Sequence, residues 1–192
     1  MMRIQNHLGM EIKKLFPAAV ALGNIPDFDE VLNEIKGKTE VINGLLESDV
    51  FNDKVFSTNK KVLNLINELN LVKTKSVVEK LFEEYKQHEK GFSHLNMTMT
   101  QSWFNITTTN GFQSIHAHHF EELCGCFYLN VPKDSGNIEF APLVEFASKH
   151  GRECIVPSTG IYIFFPGYLL HRVTYNKSSA QRISLCFNFR EL

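Results

Sequence analysis

The sequence has no long hydrophobic run and no run of basic residues. No stretch approaches the roughly 18 consecutive apolar residues that a membrane-spanning helix requires. The 20 basic and 21 acidic residues nearly cancel and do not cluster, so the chain offers no electrostatic surface for nucleic acid. We therefore expect neither a membrane nor a nucleic acid as partner.

Cysteine is also scarce, and its spacing excludes the common metal and redox motifs. The four cysteines, Cys124, Cys126, Cys154 and Cys186, match neither a CxxC pair nor a zinc ribbon. A two-residue spacing within one strand makes a disulfide between Cys124 and Cys126 geometrically awkward. We expect all four to be reduced core residues of a cytoplasmic protein.

Length and composition predict one domain with a full hydrophobic core. The chain has 192 residues, 43% of them hydrophobic, and 16 phenylalanines, which is typical of globular proteins. We expect residues 1–192 to form a single domain, with a helical support region over about 10–94 and a β core over about 95–192. The short apolar stretch 15–22, interrupted by Pro17, favours a buried strand over a targeting segment.

Three helices are predicted in the first half. The segment 27–37 begins with Asp and ends in Gly, and 57–72 carries Val and Leu residues on one broad stripe. The segment 76–91 has a capping box of Ser76 and Glu79, an apolar face with helical spacing, and a terminal Gly91. This helix has a single apolar face, so it is expected to cover another surface.

From about residue 95 the hydrophobic period changes toward two, which predicts strands. Short β-branched and aromatic segments are separated by turn signals, as in a sandwich or barrel such as a jelly roll. The last strand has two chemically different faces. We expect the N-terminal helices to pack against its apolar face. Its polar face must line a cavity, because burying an arginine without an anion is costly. The polar side chains are Arg182, Ser184, Cys186 and Asn188.

The densest chemical signal is the segment SIHAHHFEEL, 114–123, which holds three of the eight histidines. In an extended segment His116 and His118 share a face, and His171 is a candidate third ligand from a distant strand. Neutral imidazoles bind Fe(II), Zn(II), Ni(II) or Cu(II), so they do not choose the metal. Eleven residues after His171 comes Arg182, followed by Ser184, and a guanidinium with a neighbouring hydroxyl suits a carboxylate.

The pattern of H-x-H, a distal His and then R-x-S resembles that of the double-stranded β-helix oxygenases that use Fe(II) and 2-oxoglutarate. Three segments, SWFNITTTNGFQSIHAHHFEELCGCFYLNVP, PSTGIYIFFPGYLLHRV and QRISLCFNF, are similar to a group of 2-oxoglutarate oxygenases from bacteria and phages. The similarity is good over roughly residues 95–190 and thin before them. It implies a cupin-like jelly roll with helices on the outer face of one sheet.

The resemblance also implies a site and a reaction. His116, His118 and His171 would hold Fe(II), Arg182 and Ser184 would hold the far carboxylate of 2-oxoglutarate, and Tyr128 and Asn105 would hydrogen-bond this cosubstrate. Oxidative decarboxylation to succinate and CO2 would drive hydroxylation of a C–H bond, with O2 as oxidant and ascorbate as an accessory reductant. No side chain need act as general acid or base. The prime substrate, whether a protein side chain, an amino acid or a small metabolite, is left open, as is a homodimer.

One departure from the superfamily pattern is His118, which stands where most members have a carboxylate. Glu121 or Glu122 could instead bend in as the acidic ligand, or His119 could bind. Two other hypotheses remain: a cupin-like three-histidine dioxygenase that does not use 2-oxoglutarate, and a jelly-roll protein whose metal is structural or absent. The first leaves Arg182 unexplained, and the second conflicts with a three-residue face that leaves coordination positions open.

Overall fold

Strands dominate the computed structural model, which describes residues 18–49, 52, 54–89, 91–141 and 153–192. The helices are α1 Phe28–Lys36, α2 Thr39–Leu45, α3 Leu65–Glu68 and α4 Val72–His88. The strands are β1 Ala21–Asn24, β2 Glu47–Ser48, β3 Val55–Ser57, β4 Met97–Thr107, β5 Gln113–His116, β6 Leu123–Asn130, β7 Ile138–Ala141, β8 Glu153–Ile155, β9 Ile161–Pro166, β10 Leu170–Val173 and β11 Arg182–Glu191.

The described strands form two antiparallel sheets. The larger sheet has the order β1-β9-β6-β11-β4-β3-β2, and the smaller has the order β5-β10-β7-β8. Side chains of both sheets line one cavity. The jelly-roll prediction is confirmed, and the region predicted to be helical also contributes three short strands, β1 to β3, to the larger sheet.

The two faces of β11 are divided as the alternation predicts. Leu185, Phe187 and Phe189 are fully buried against the helices, and the ring of Phe189 stacks on that of Phe82 in α4 with centroids 4.0 Å apart. The polar side chains of the opposite face line the cavity between the sheets. The helices therefore cover the outer face of the larger sheet, and the polar face of its central strand points inward.

Helix α4 begins at Val72, four residues before the predicted capping box, so Ser76 lies inside the helix. The reason is a distant cap. The carboxylate of Glu34 in α1 accepts hydrogen bonds from the backbone N–H groups of Lys73 at 2.9 Å and Thr74 at 2.8 Å. These are N–H groups that a helix start leaves without partners. The helix ends at His88, before Gly91.

The helix predicted over 57–72 is wrong for most of its length, and only Leu65–Glu68 is helical there before α4 begins. The backbone instead bonds to β4. The Thr58 N–H donates to the carbonyl of Phe104 at 3.1 Å, and the Thr58 hydroxyl accepts from the Phe104 N–H at 3.0 Å. Hydrogen bonds to a strand edge thus override the helical spacing of the apolar residues.

Two further expectations concern residues away from the sheets' centre. The prediction that all four cysteines are core residues is wrong for Cys154. This residue is exposed because it lies on the short outer strand β8.

Strand β1 covers the end of the predicted 15–22 strand, and residues 15–17 lie outside the described ranges. None of the helices in the described ranges combines the length and apolar character needed to cross a membrane.

Candidate active site

Three histidines from two parts of the chain meet at one point in the cavity. His116 ends β5, and His171 lies directly opposite it on the neighbouring strand β10. His118 follows β5 by two residues. One ligand atom from each of the three lies within 4.8 Å of the others, close enough for one transition-metal ion to be reached by small side-chain rotations.

Hydrogen bonds orient the rings. The Nδ1 of His116 is 2.7 Å from the carbonyl of Ser114, and that of His171 is 2.8 Å from the carbonyl of Leu169. A carbonyl only accepts, so each Nδ1 carries the proton and each Nε2 keeps a free lone pair. Fixing the ring nitrogen that faces away from a metal is the usual way in which proteins orient histidine ligands.

The position of His118 depends on a backbone interlock at Gly167. The His118 N–H donates to the carbonyl of Gly167 at 2.8 Å, and the Gly167 N–H donates to the carbonyl of Glu122 at 3.0 Å. A Cβ at Gly167 would collide with the carbonyl of Glu121, so only glycine permits this approach. These two hydrogen bonds connect the loop after β5 to the turn between β9 and β10. They therefore fix the position of His118 relative to His171.

Burial keeps two of the imidazoles neutral. It lowers the pKa of His171 to about 3, with the electrostatic influence of His116 as a further cause. Burial, His116 and His119 together lower the pKa of His118 to about 4. At neutral pH both rings are therefore unprotonated, which is the form that binds a metal. His119 itself is exposed and lies outside the cluster.

The carboxylates of Glu121 and Glu122, the alternative metal ligands, are bound by other residues. One oxygen of Glu121 lies 2.7 Å from a guanidinium nitrogen of Arg190, and the other accepts a hydrogen bond from Thr100 at 3.0 Å. The carboxylate of Glu122 accepts the N–H of Glu191 at 2.9 Å. The geometry thus favours three imidazoles over a set that includes either glutamate.

The far end of the cavity holds a buried guanidinium, that of Arg182, which is 4% exposed. Within the part of the chain that the structure describes, its Nε and Nη1 atoms have no hydrogen-bond partner. Its guanidinium carbon lies 5.2 Å from the ring centroid of Tyr128. A buried arginine with unpaired donors is costly unless an anion completes the site, so the pocket fits a ligand carboxylate.

The three other predicted cosubstrate contacts surround Arg182. Ser184, Tyr128 and Asn105 are all buried and all line the same cavity. Burial raises the pKa of Tyr128, so its hydroxyl stays protonated and can donate. The structure therefore brings together all seven site residues predicted from the sequence, with three histidines at one end of a single cavity and Arg182 at the other.

Two further lining residues were not among the predicted site residues. Trp103 lines the cavity, and its ring centroid is 6.0 Å from that of His118. Asn188 places its amide nitrogen 3.4 Å from Nδ1 of His118 and donates to Gln101 at 2.9 Å. Strand alternation is the signal that points to both, because Trp103 shares a face with Asn105, and Asn188 shares one with Arg182.

This fold and this cavity define a jelly-roll protein with a three-histidine cluster and an arginine pocket. Residues 101–188 match the family model described as "Putative 2OG-Fe(II) oxygenase". This match and the structural neighbours below indicate a 2OG-Fe(II) oxygenase, an oxidoreductase family of enzymes whose members use Fe(II), 2-oxoglutarate and O2. A comparison with curated protein sequences found no match.

Solved structures support the same fold at low sequence identity. A prolyl-4-hydroxylase from Pseudomonas putida is 15% identical, with a TM-score of 0.66, over 91% of this chain and 94% of that one. A Trichoplax adhaerens prolyl hydroxylase, in complex with a hypoxia-inducible-factor peptide fragment, is 14% identical with a TM-score of 0.64 over 90% and 83%. HygX from Streptomyces hygroscopicus, with nickel, 2-oxoglutarate and hygromycin B bound, is 8% identical with a TM-score of 0.58 over 91% and 83%.

Proposed function

We propose that the protein is an Fe(II)- and 2-oxoglutarate-dependent dioxygenase in which His116, His118 and His171 bind the metal. The observation that carries the proposal is the presence, in one cavity, of this cluster and the buried guanidinium of Arg182, two of whose nitrogen atoms have no hydrogen-bond partner among the described residues. A dioxygenase that ignores 2-oxoglutarate would leave that guanidinium without a role. When bound, the iron supplies the activation of O2 that couples decarboxylation of 2-oxoglutarate to oxidation of the substrate.

The side chains of the chain bind and orient. Arg182 presents two free donors to the far carboxylate of 2-oxoglutarate, and Ser184, two residues along the same strand, offers a hydroxyl to the same group. Tyr128 and Asn105 flank this end and are proposed as further hydrogen-bond partners. At the other end, backbone carbonyls fix the rings of His116 and His171 before the metal binds, which reduces the cost of ordering them.

A prime substrate would occupy the cleft that adjoins the metal-binding end. This cleft has a volume of about 490 Å³ and shares Trp103, His116 and His118 with the inner cavity. Its remaining walls are mainly neutral and polar, with Asn52, Asn59, Ser57, Phe112 and Ser114 among them and Asp49 as the charged residue. Recognition by shape and neutral hydrogen bonds is therefore favoured over recognition by charge.

We favour a protein side chain over a free amino acid or a small metabolite as the group that is hydroxylated. Strand β5 lines the cleft and, among the described strands, has a neighbour on one side only. Such an edge offers backbone hydrogen bonds to an extended peptide. The Trichoplax relative in complex with a peptide fragment is consistent with this substrate class.

The test of the proposal is succinate formation from 2-oxoglutarate with Fe(II) and ascorbate, alongside binding of 2-oxoglutarate to the protein loaded with Co(II). Arg182→Ala is expected to weaken 2-oxoglutarate binding, and His171→Ala to weaken metal binding, each by roughly 100-fold or more. His94→Ala, at an exposed histidine outside the site, is the matched control. Binding and turnover that ignore both site substitutions would contradict the proposal.

A further inference from the structure

Two thiols lie in the floor of the cavity, and the dioxygenase reaction does not use them. Cys126 on β6 and Cys186 on β11 are directly opposite each other in the antiparallel register. Their sulfur atoms are 3.7 Å apart. Both are free cysteines, and both line the cavity that holds Arg182 and Ser184.

The backbone geometry of this pair suits a disulfide. Directly opposed residues of antiparallel strands have Cα atoms about 4.5–5.5 Å apart, which lies within the range of about 4.4–6.8 Å found in disulfides. The sulfur atoms need to approach from 3.7 Å to about 2.0 Å, which side-chain rotation can supply. The neighbouring Cys124 has no such partner opposite it, because the register pairs it with Asn188 and Phe165.

The position of Cys186 links the thiols to cosubstrate binding. It lies between Ser184 and Asn188 on the inward face of β11, midway between the anion-binding and metal-binding ends. Asn105 donates a hydrogen bond to the Cys186 sulfur at 3.6 Å, and Ser184 is an adjacent residue on the same face of the strand. A sulfur that moves toward Cys126 therefore leaves Asn105, one of the proposed 2-oxoglutarate ligands, without its present partner.

The pair is accessible to small oxidants and is chemically asymmetric. The inner cavity shares Trp103, Asn105 and Gln113 with the outer cleft, so a peroxide can enter by the same route as the cosubstrate. The hydrogen bond with Cys126 lowers the pKa of Cys186, whereas burial raises the pKa of Cys126. Cys186 is therefore the thiol that is more readily deprotonated, and thiolates are the nucleophilic form.

We propose that Cys126 and Cys186 are a covalent modification site, at which hydrogen peroxide forms a disulfide that disables 2-oxoglutarate binding. The Cys186 thiolate attacks one peroxide oxygen, the O–O bond breaks, and the departing hydroxide takes up a proton to leave as water. The Cys126 sulfur then displaces the hydroxyl from the resulting sulfenic acid as a second water. Two thiols and one peroxide thus yield one disulfide and two waters, and a dithiol reductant reverses the change.

The consequence for binding rests on the proposed function, but the modification itself does not. We expect the disulfide to weaken 2-oxoglutarate binding by at least tenfold. Because linkage is reciprocal, saturating 2-oxoglutarate on the Co(II)-loaded protein should shift the thiol–disulfide equilibrium of the pair toward the dithiol by the same factor. Failure of 2-oxoglutarate to bind the reduced protein would refute the proposed function, whereas failure of the disulfide to form would refute this inference alone.

The experiment uses the full chain with Cys154→Ser, which removes the exposed thiol. The metal-free protein is treated with hydrogen peroxide, free thiols are alkylated after denaturation, and the cross-linked peptides are identified by mass spectrometry. Cys124 is the internal control, since it should stay alkylatable. In a parallel sample, Co(II) is added after oxidation, and 2-oxoglutarate affinity is measured by calorimetry before and after dithiothreitol.

The expected result is a Cys126–Cys186 disulfide, a tenfold or greater loss of affinity, and recovery on reduction. Cys126→Ala should keep 2-oxoglutarate binding and lose its sensitivity to peroxide, and Cys126→Ser serves in its place if the alanine variant does not fold. Persistence of both thiols after peroxide would overturn the inference. So would a disulfide that leaves the affinity unchanged.

Discussion

At the scale of single residues, the site is defined by buried polar groups whose hydrogen-bonding and charge requirements the fold does not fully satisfy. Two imidazoles are buried as neutral rings, those of His118 and His171. One guanidinium is buried with two donors that have no partner. Both arrangements lower stability and are explained if a cation and an anion bind between them.

The first residue-scale prediction concerns Arg182. Arg182→Met keeps the apolar stem and removes the uncompensated charge, so we expect the ligand-free protein to be as stable as the parent or more stable. Binding of 2-oxoglutarate to the Co(II) protein should fall by roughly 100-fold or more. Urea unfolding and calorimetry give the two measurements. A variant that is both less stable and unimpaired in binding would contradict the anion-pocket interpretation.

The second residue-scale prediction concerns the pH dependence of stability. The folded-state pKa values of His171, about 3, and His118, about 4, lie below the value of about 6.5 for an unfolded histidine. The unfolded chain therefore binds more protons between these values, and stability must fall as pH decreases from about 6.5 toward 4. We expect a loss of roughly 3 kcal/mol in the metal-free protein between about pH 6.5 and 5.

Carboxylates also titrate in acid, so this measurement needs a matched variant. In His118→Gln/His171→Gln both low-pKa groups are absent, and the decrease in unfolding free energy between about pH 6.5 and 5 should become much smaller. Equal pH dependence in the parent and the double variant would show that the two imidazoles are not buried as neutral rings.

At the scale of elements, strand β11 organises the molecule. Its outward side chains anchor the helices, and its inward side chains form the floor of the site, from Arg182 to Asn188. The neighbouring strand adapts to it at Gly125, where a Cβ would collide with the ring of Phe187. Packing on one face is thus coupled through a single strand to ligand binding on the other.

Gly125→Ala tests this coupling. The added methyl group must displace Phe187, and overpacking of this kind costs about 1–3 kcal/mol. Gly44→Ala is the control, because Gly44 lies exposed in helix α2 and a Cβ added there would meet no atom within 4 Å, and alanine should be neutral or stabilising at this position. Chemical denaturation measures both, and equal stabilities would refute the packing argument.

The elements also show where sequence reasoning succeeds and where it fails. Alternation in β11 predicted both of its faces, because side-chain direction in a strand follows directly from position. The start of α4 was missed because its cap, Glu34, is a side chain from another helix. Likewise, the segment 57–64 has helical spacing but hydrogen-bonds to β4. Local patterns carry no information on such distant partners.

At the scale of the whole molecule, the histidine cluster was predictable from two signals: the local H-x-H segment at His116 and His118, and the spacing of His171 to Arg182, which resembles a known family pattern. The residues of the outer cleft were not predictable, since they come from β3, the segments next to it, and β4 and β5. Their proximity depends on how β3 adds to the edge of β4. Pairing of short strands is determined by tertiary contacts, which the sequence pattern does not encode.

The whole-molecule prediction is that the effects of Co(II) and 2-oxoglutarate on Tm depend on each other. A ligand that binds only the folded state raises the unfolding free energy by RT ln(1 + [L]/Kd), which is about 2.7 kcal/mol at one hundred times Kd. We expect Co(II) alone to raise Tm, and 2-oxoglutarate to add a further rise only when Co(II) is present. Differential scanning calorimetry measures both steps. An equal rise with 2-oxoglutarate after chelation would contradict a shared site.

The glycine at position 167 has a consequence for handling the enzyme. Two main-chain hydrogen bonds there connect the His118 loop to the turn that precedes His171. The proposed metal site is therefore positioned by the protein itself and does not need the ion to form. If the three histidines bind a metal as proposed, we expect that a chelator can remove the ion and that a different divalent ion can replace it without unfolding of the protein. Spectroscopic and catalytic metals can accordingly be compared in one and the same preparation.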